Sequence, residues 1–85
     1  STTADATLAE RLIADIVAAR FAPGTPLREQ EIATAYGVSR PTTREALRLA
    51  AQAGFVDINP FRGARIVEMS FEEFLDISVV LEGLY

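Results

Sequence analysis

The sequence predicts a mainly α-helical domain with a small β-hairpin, on three observations. Apolar residues recur at helical spacing in three successive segments, glycine-containing turns separate these segments, and the pattern then switches to period two around a turn-forming stretch. Leu8, Leu12, Ile13, Ile16 and Val17 share one face while Glu10, Arg11, Asp15 and Arg20 fall mainly between them, which predicts a helix over residues 5–20. Ala22-Pro23-Gly24-Thr25-Pro26 stops it and predicts a loop, because prolines and glycine do not continue a helix. A second, short helix follows over residues 28–36, with Leu27, Ile32, Ala33 and Tyr36 on its apolar face and acids in the first turn, where the helix dipole favours them. Gly37 stands at the position that ends it.

A third helix begins almost at once. Ser39 is the expected N-cap, and Pro41 is tolerated because first-turn N–H groups have no intrahelical partner; Thr42-Thr43-Arg44-Glu45 offers an alternative start three residues later. Leu47, Leu49, Ala50 and Ala53 supply its apolar contacts and Gly54 ends it. Phe55-Val56-Asp57-Ile58 and Ala64-Arg65-Ile66-Val67 then read as two strands of a hairpin around Asn59-Pro60-Phe61-Arg62-Gly63, with an arginine at its tip. Ser70-Phe71-Glu72-Glu73 is a capping box opening one further helix, whose apolar residues from Phe71 to Leu84 cover too much of its circumference for a lone surface helix. We therefore expect one domain over residues 1–69, and in residues 70–85 the first helix of a larger all-helical domain that would cover it.

At 85 residues, 49% hydrophobic and 24% charged, the chain has one thin core and no room for a deep enclosed site. Cysteine and histidine are both absent, which removes disulfides, thiolate metal sites, the commonest zinc ligand and the commonest general base. No phosphate-cradling glycine-rich loop is present, so the chain is not expected to be an enzyme. Glu72, Glu73 and Asp76 are read as a solvated face rather than a carboxylate metal site. No apolar run approaches the ~20 residues of a membrane helix and no signal peptide is evident, so a soluble cytoplasmic protein without a membrane partner is expected.

The net charge of −4 argues against a nucleic-acid partner only as an average. Residues 27–65 hold six Arg against four acids, whereas residues 66–85 hold five acids and no base. Two short helices joined by a glycine-containing turn form a helix-turn-helix, and three helices with a two-stranded wing form a winged helix-turn-helix, here followed by one further helix. The usual task of that fold is to lay the second helix of the pair in the major groove of double-stranded DNA. The positions that matter are then Ser39, Arg40, Thr42, Thr43 and Arg44. Arg40 and Arg44, four apart, share a face, and the planar fork of Arg can donate to N7 and O6 of guanine. Thr42 and Thr43 can reach phosphates or a thymine methyl, and Ser39 can cap the helix while meeting a phosphate. Arg62 beside Gly63 can enter the flanking minor groove. Arg48 lies too far along the helix for this work, Arg28 and Arg65 are read as surface residues or phosphate contacts, and Tyr36, Phe55 and Phe61 are assigned to core or hairpin packing. The competing reading is a winged helix used as a protein–protein interaction module, favoured by the net charge and opposed by the Arg40/Arg44 pair.

The run Gly37-Val38-Ser39-Arg40-Pro41-Thr42-Thr43-Arg44-Glu45-Ala46-Leu47 resembles the signature of GntR-family bacterial transcription regulators. Pro23-Gly24 through Leu27-Arg28-Glu29-Gln30-Glu31-Ile32-Ala33 is similar to their second helix, and Arg62-Gly63-Ala64-Arg65-Ile66-Val67 to their wing. Residues 70–84 resemble the opening of the effector domain of the FadR-like (FCD) branch. The resemblance implies a homodimer on a two-fold-symmetric operator, with Arg40 and Arg44 reading bases, Ser39 and Thr42 holding the backbone and Arg62-Gly63 in the minor groove. It also implies a small-molecule effector, with a metal and a small carboxylate bound by residues further downstream, and hence no cofactor for the residues present here. The chain departs from the family pattern in three places. Pro41 precedes Thr42 where Thr then Pro is common, which biases Arg40 away from helical dihedrals. Gln30 stands where many members carry another DNA-contacting Arg, and Ser78 where the branch often has an Arg.

Overall fold

The computed structural model describes residues 2–68, and the expected helix over residues 70–85, with the boundary drawn before it, lies outside the described residues. Three helices and a small antiparallel sheet alternate in the order α1 (Thr2–Val17), β1 (Pro26–Leu27), α2 (Glu29–Tyr36), α3 (Arg40–Gln52), β2 (Val56–Asn59) and β3 (Gly63–Ile66). The predicted three helices plus wing are all present.

Each helix ends by the same device, in which the N–H just beyond a left-handed residue reaches back to a carbonyl five residues earlier. The N–H groups of Arg20, Val38 and Phe55 donate in this way to the carbonyls of Asp15, Ala33 and Ala50. At α2 the left-handed residue is Gly37 (φ 68°), as the sequence reading requires. At α1 it is Ala19 (φ 60°), so the helix stops at Val17, short of residue 20 and well before the prolines that were expected to end it. An Arg20–Asp15 ion pair of 3.4 Å spans the same turn.

The segment expected to be a plain loop contains β1, which pairs with β3 and makes the sheet three-stranded in the order β1-β3-β2. Pro26 faces Arg65 and Leu27 faces Ala64. Two residues, one of them a proline without an N–H, carry no period-two signal, and an edge position is where a sheet accepts such a residue. The consequence is positional: the wing is tied to the residues that immediately precede α2.

One stripe of α3, made of Thr43, Ala46, Leu47 and Ala50, is buried. Ala46 and Ala50 have no exposure at all, and their small side chains let α1 approach closely with Leu8, Ala9 and Leu12. The rest of the core joins Leu12, Leu47 and Ala50 to Leu27, Ile32, Val56 and Ile66, so β1, α2 and the wing all rest on α3. Tyr36 bridges both apolar clusters, as its assignment to packing anticipated. Its hydroxyl donates to Asp15 Oδ2 at 2.5 Å, and the Arg11 guanidinium sits over its ring at 5.0 Å. Burial first, then the hydrogen bond to the Asp15 carboxylate, push the Tyr36 phenol up to about 12 from 10.0.

Two measurements follow from these features. Replacing Ala19 by Gly relieves a left-handed backbone position and should raise stability by about 0.5–1 kcal/mol, seen as a rise of several degrees in Tm; an unchanged Tm would mean the turn is not held in this conformation. Because the fold favours the neutral Tyr36 phenol, its contribution is fully present below the ordinary pKa of 10.0 and is lost as pH rises toward about 12. Tyrosinate absorbance should therefore show one late-titrating group that disappears in Tyr36→Phe.

Candidate nucleic-acid interface

The turn between α2 and α3 is short, and its chemistry decides where the arginines of α3 emerge. Gly37 takes the left-handed turn, Val38 packs half-buried against the Leu8–Ala9–Ala46 cluster, and Ser39 opens α3. The Ser39 hydroxyl accepts the Thr42 N–H at 3.2 Å, so the helix starts at the earlier of the two caps the sequence allowed. The same hydroxyl donates to Thr42 Oγ1 at 3.0 Å. Arg40 is the first helical residue, so Pro41 does not displace it from the helix as its position suggested.

With the stripe Thr43, Ala46, Leu47 and Ala50 turned inward, Arg40, Arg44 and Arg48 are turned outward together. Thr43 departs from the expectation that it could touch DNA. Its side chain is fully buried and its hydroxyl donates to the Ser39 carbonyl at 3.0 Å, which makes it a packing residue that braces the first turn. Thr42 is half-buried and Ser39 exposed. Gln30 is exposed on α2, its amide donating to Thr34 Oγ1 at 3.4 Å. Arg48 pairs with Glu45 one turn back, in keeping with its assignment to the solvated face. Arg28 pairs with Glu31 at 3.5 Å.

Glu29, which the sequence reading did not single out, joins the two candidate base readers. Its Oε1 accepts Arg40 Nε and Arg44 Nη2, and its Oε2 accepts Arg44 Nε, each at 3.0 Å. The two arginine side chains remain 59% and 67% exposed while that of Glu29 is only 23% exposed, so the carboxylate lies beneath them. The hydrogen bond from Arg44 foremost, with that from Arg40, holds the Glu29 carboxyl below the usual carboxylate range against the opposing effect of desolvation. The only hint in the sequence is an acid in the first turn of α2, eleven and fifteen positions before its partners. Such a pairing becomes visible only when the angle between the helices is known.

At the hairpin tip, Asn59 Oδ1 accepts the N–H groups of Phe61 and Arg62 at 2.8 and 3.2 Å, a local turn that fixes the backbone without tertiary support. Arg62 and Gly63 are exposed, and among the described residues Arg62 has no ion-pair partner. Phe61 is 95% exposed, which corrects its assignment to hairpin packing: at the apex of so tight a turn no neighbouring element lies within reach. Phe55 is half-buried. An open groove of about 460 Å³ separates α3 from the wing, lined by Arg44, Leu47, Ile58, Arg62, Arg28 and Glu29 among others. The outward face of α3, the groove and the wing tip thus form one surface bearing Arg28, Arg40, Arg44 and Arg62. No group of metal-ligating side chains occurs among the described residues, and no described helix is long and apolar enough to cross a membrane.

The cap can be tested separately from any ligand. Ser39→Ala should cost about 1 kcal/mol in denaturant unfolding, whereas Ser39→Asp, which also accepts the Thr42 N–H and suits the helix dipole, should keep full stability.

Comparison with known proteins places this surface in a family. The profile described as bacterial regulatory proteins, gntR family, matches residues 4–66, which takes in α2, α3, both wing strands and all but the first two residues of α1. The HTH-type transcriptional repressor RspR of Escherichia coli (strain K12) is 36% identical over 70 residues, covering 82% of this chain and 31% of that protein. A probable D-xylose utilization operon transcriptional repressor of Paenarthrobacter nicotinovorans is 29% identical over 86 residues, covering 98% of this chain and 38% of its own length. The chain therefore spans about a third of the curated relatives it matches. Among solved structures, a transcriptional regulator of Pseudomonas syringae pv. tomato str. DC3000, described as a GntR family member, superposes with a TM-score of 0.70 at 33% identity, over 93% of this chain and 35% of that one. The chain belongs to the GntR family of bacterial regulatory proteins.

Proposed function

We propose that this chain is the DNA-reading part of a cytoplasmic transcriptional regulator, with α3 in the major groove and the wing tip in the adjacent minor groove of an operator. The observation that carries this is the single surface shared by Arg40, Arg44 and Arg62, in which the two α3 arginines sit at the N-terminal end of the helix, exposed, with donors to spare. Arg40 and Arg44 read base edges, while Ser39 and Thr42 hold the phosphate backbone at the helix N-terminus. Gln30 adds an uncharged donor from α2, and Arg62 enters the minor groove, Gly63 allowing the backbone close to the duplex. Thr43 has no contact role in this scheme.

The names of the relatives support the assignment to a regulator, and the length by which they exceed this chain supports a second domain. That domain is an FCD-type effector unit, and it pairs two chains on a two-fold-symmetric operator. A small-molecule effector there alters the relative placement of the two reading domains and so shifts the population able to bind.

The test is titration of labelled mixed-sequence duplex across a range of salt. Phosphate neutralisation requires log K to fall linearly with log salt, by about 0.9 per contacted phosphate. Arg62→Ala should weaken binding evenly across sequences and flatten that slope by about 1. Ser39→Asp, still fully folded, should also lose affinity because its carboxylate faces a phosphate. Binding that is absent at low salt, or indifferent to salt, would contradict this function and favour a protein-interaction module.

A further inference from the structure

Two arginines on one helix face are an ordinary surface feature; a carboxylate that gathers both from a different helix is not. Glu29 is the first residue of α2, its side chain half-buried, and its two oxygens accept from three donors on α3. Which donors it takes matters more than how many. A guanidinium has five N–H bonds, and the fork that fits guanine O6 and N7 is the outer edge formed by Nη1 and Nη2. Glu29 takes the Nε–H of Arg40, leaving that whole outer edge open. From Arg44 it takes Nε–H and one hydrogen of Nη2, leaving both hydrogens of Nη1 and the second of Nη2. The carboxylate therefore grips the inner edges and presents the outer ones.

We propose that Glu29 is a positioning residue for base reading, holding the Arg40 and Arg44 guanidiniums in register before DNA arrives; this rests on the DNA-reading function above. Long arginine side chains lose rotamer freedom when they dock, and fixing them in the free protein removes part of that loss from the binding step. The benefit falls only on duplexes whose base edges match the fixed forks, so it appears as discrimination. The accompanying negative charge, carried on the surface that meets the polyanionic duplex, weakens binding to every sequence alike. Glu29 thus trades general affinity for selectivity, a combination that a purely structural residue does not produce.

The experiment compares wild type, Glu29→Gln and Glu29→Asp. In the free protein, the Nε–H resonances of Arg40 and Arg44 should exchange slowly and stand apart from that of exposed Arg65, and should collapse toward it in Glu29→Gln. Each protein is then titrated with a mixed-sequence duplex and with a duplex that wild type enriches from a randomised library. Glu29→Gln should bind the mixed duplex about two-fold or more tighter, while its ratio of enriched to mixed affinity falls about ten-fold. Glu29→Asp keeps the charge but withdraws the carboxylate by one methylene, so the ratio should fall with little change on the mixed duplex. Arg40 and Arg44 resonances indistinguishable from Arg65 in wild type, or an undiminished ratio in both variants, would overturn the proposal. So would parallel losses on both duplexes that track Tm. If wild type enriches no sequence and binds no duplex, the DNA-reading function itself falls and takes this inference with it.

Discussion

Helix α3 has one stripe that it can bury, and the placement of everything else depends on that stripe. Thr43, Ala46, Leu47 and Ala50 recur at three- and four-residue spacing, and the two alanines leave room for α1 to settle against the backbone. Replacing either with a larger residue would force α1 away, at a cost of about 1–3 kcal/mol for overpacking. Once that stripe is inward, residues 40, 44 and 48 have no other direction but outward. The arginine face is thus a by-product of core packing.

Orientation alone does not make a reading surface; the arginines must also sit at the correct end of the helix and beside the wing. The left-handed Gly37 and the Ser39 cap start α3 within three residues of the end of α2, so its N-terminus lies beside the C-terminal end of that helix, and Glu29 at the start of α2 reaches Arg40 and Arg44 through side-chain bonds. The short strand β1 then ties the wing to the same place, because Leu27 pairs with Ala64 and lies just before Glu29. One short strand pairing therefore helps bring Glu29, Arg44 and Arg62 to the same groove. The device is economical in chain length, since the scaffold consists of short elements meeting around one helix.

Much of this was legible from residue order. Strong helical periodicity, Gly37 as a turn, Ser39 as a cap and the period-two runs around Asn59-Pro60 each express a local preference that the structure also satisfies, and the motif from Gly37 to Leu47 concentrates several of them. What escaped was non-local or contrary to propensity. β1 is two residues long and contains a proline. The end of α1 relies on an alanine in a conformation that glycine prefers. Thr43 looked available because it lies in the first turns of α3, yet its position in the stripe matters more than its hydroxyl, which finds the Ser39 carbonyl instead of solvent. Phe61 looked like packing because phenylalanine usually is, but a tight turn leaves its apex uncovered. Glu29 resembled any acid in a first helical turn; only the crossing of α2 and α3 reveals that it serves two arginines.

The step from an outward arginine face to sequence reading comes down to whether one of those side chains decides a base. Selecting duplexes from one randomised library with wild type and with Arg44→Ala in parallel addresses it. Wild type should recover a short motif, and the variant should recover the same motif with the preference at one position lost, corresponding to about 1–3 kcal/mol at that base. An identical motif from both proteins would contradict base reading by Arg44 and reduce its role to that of a charge near the backbone.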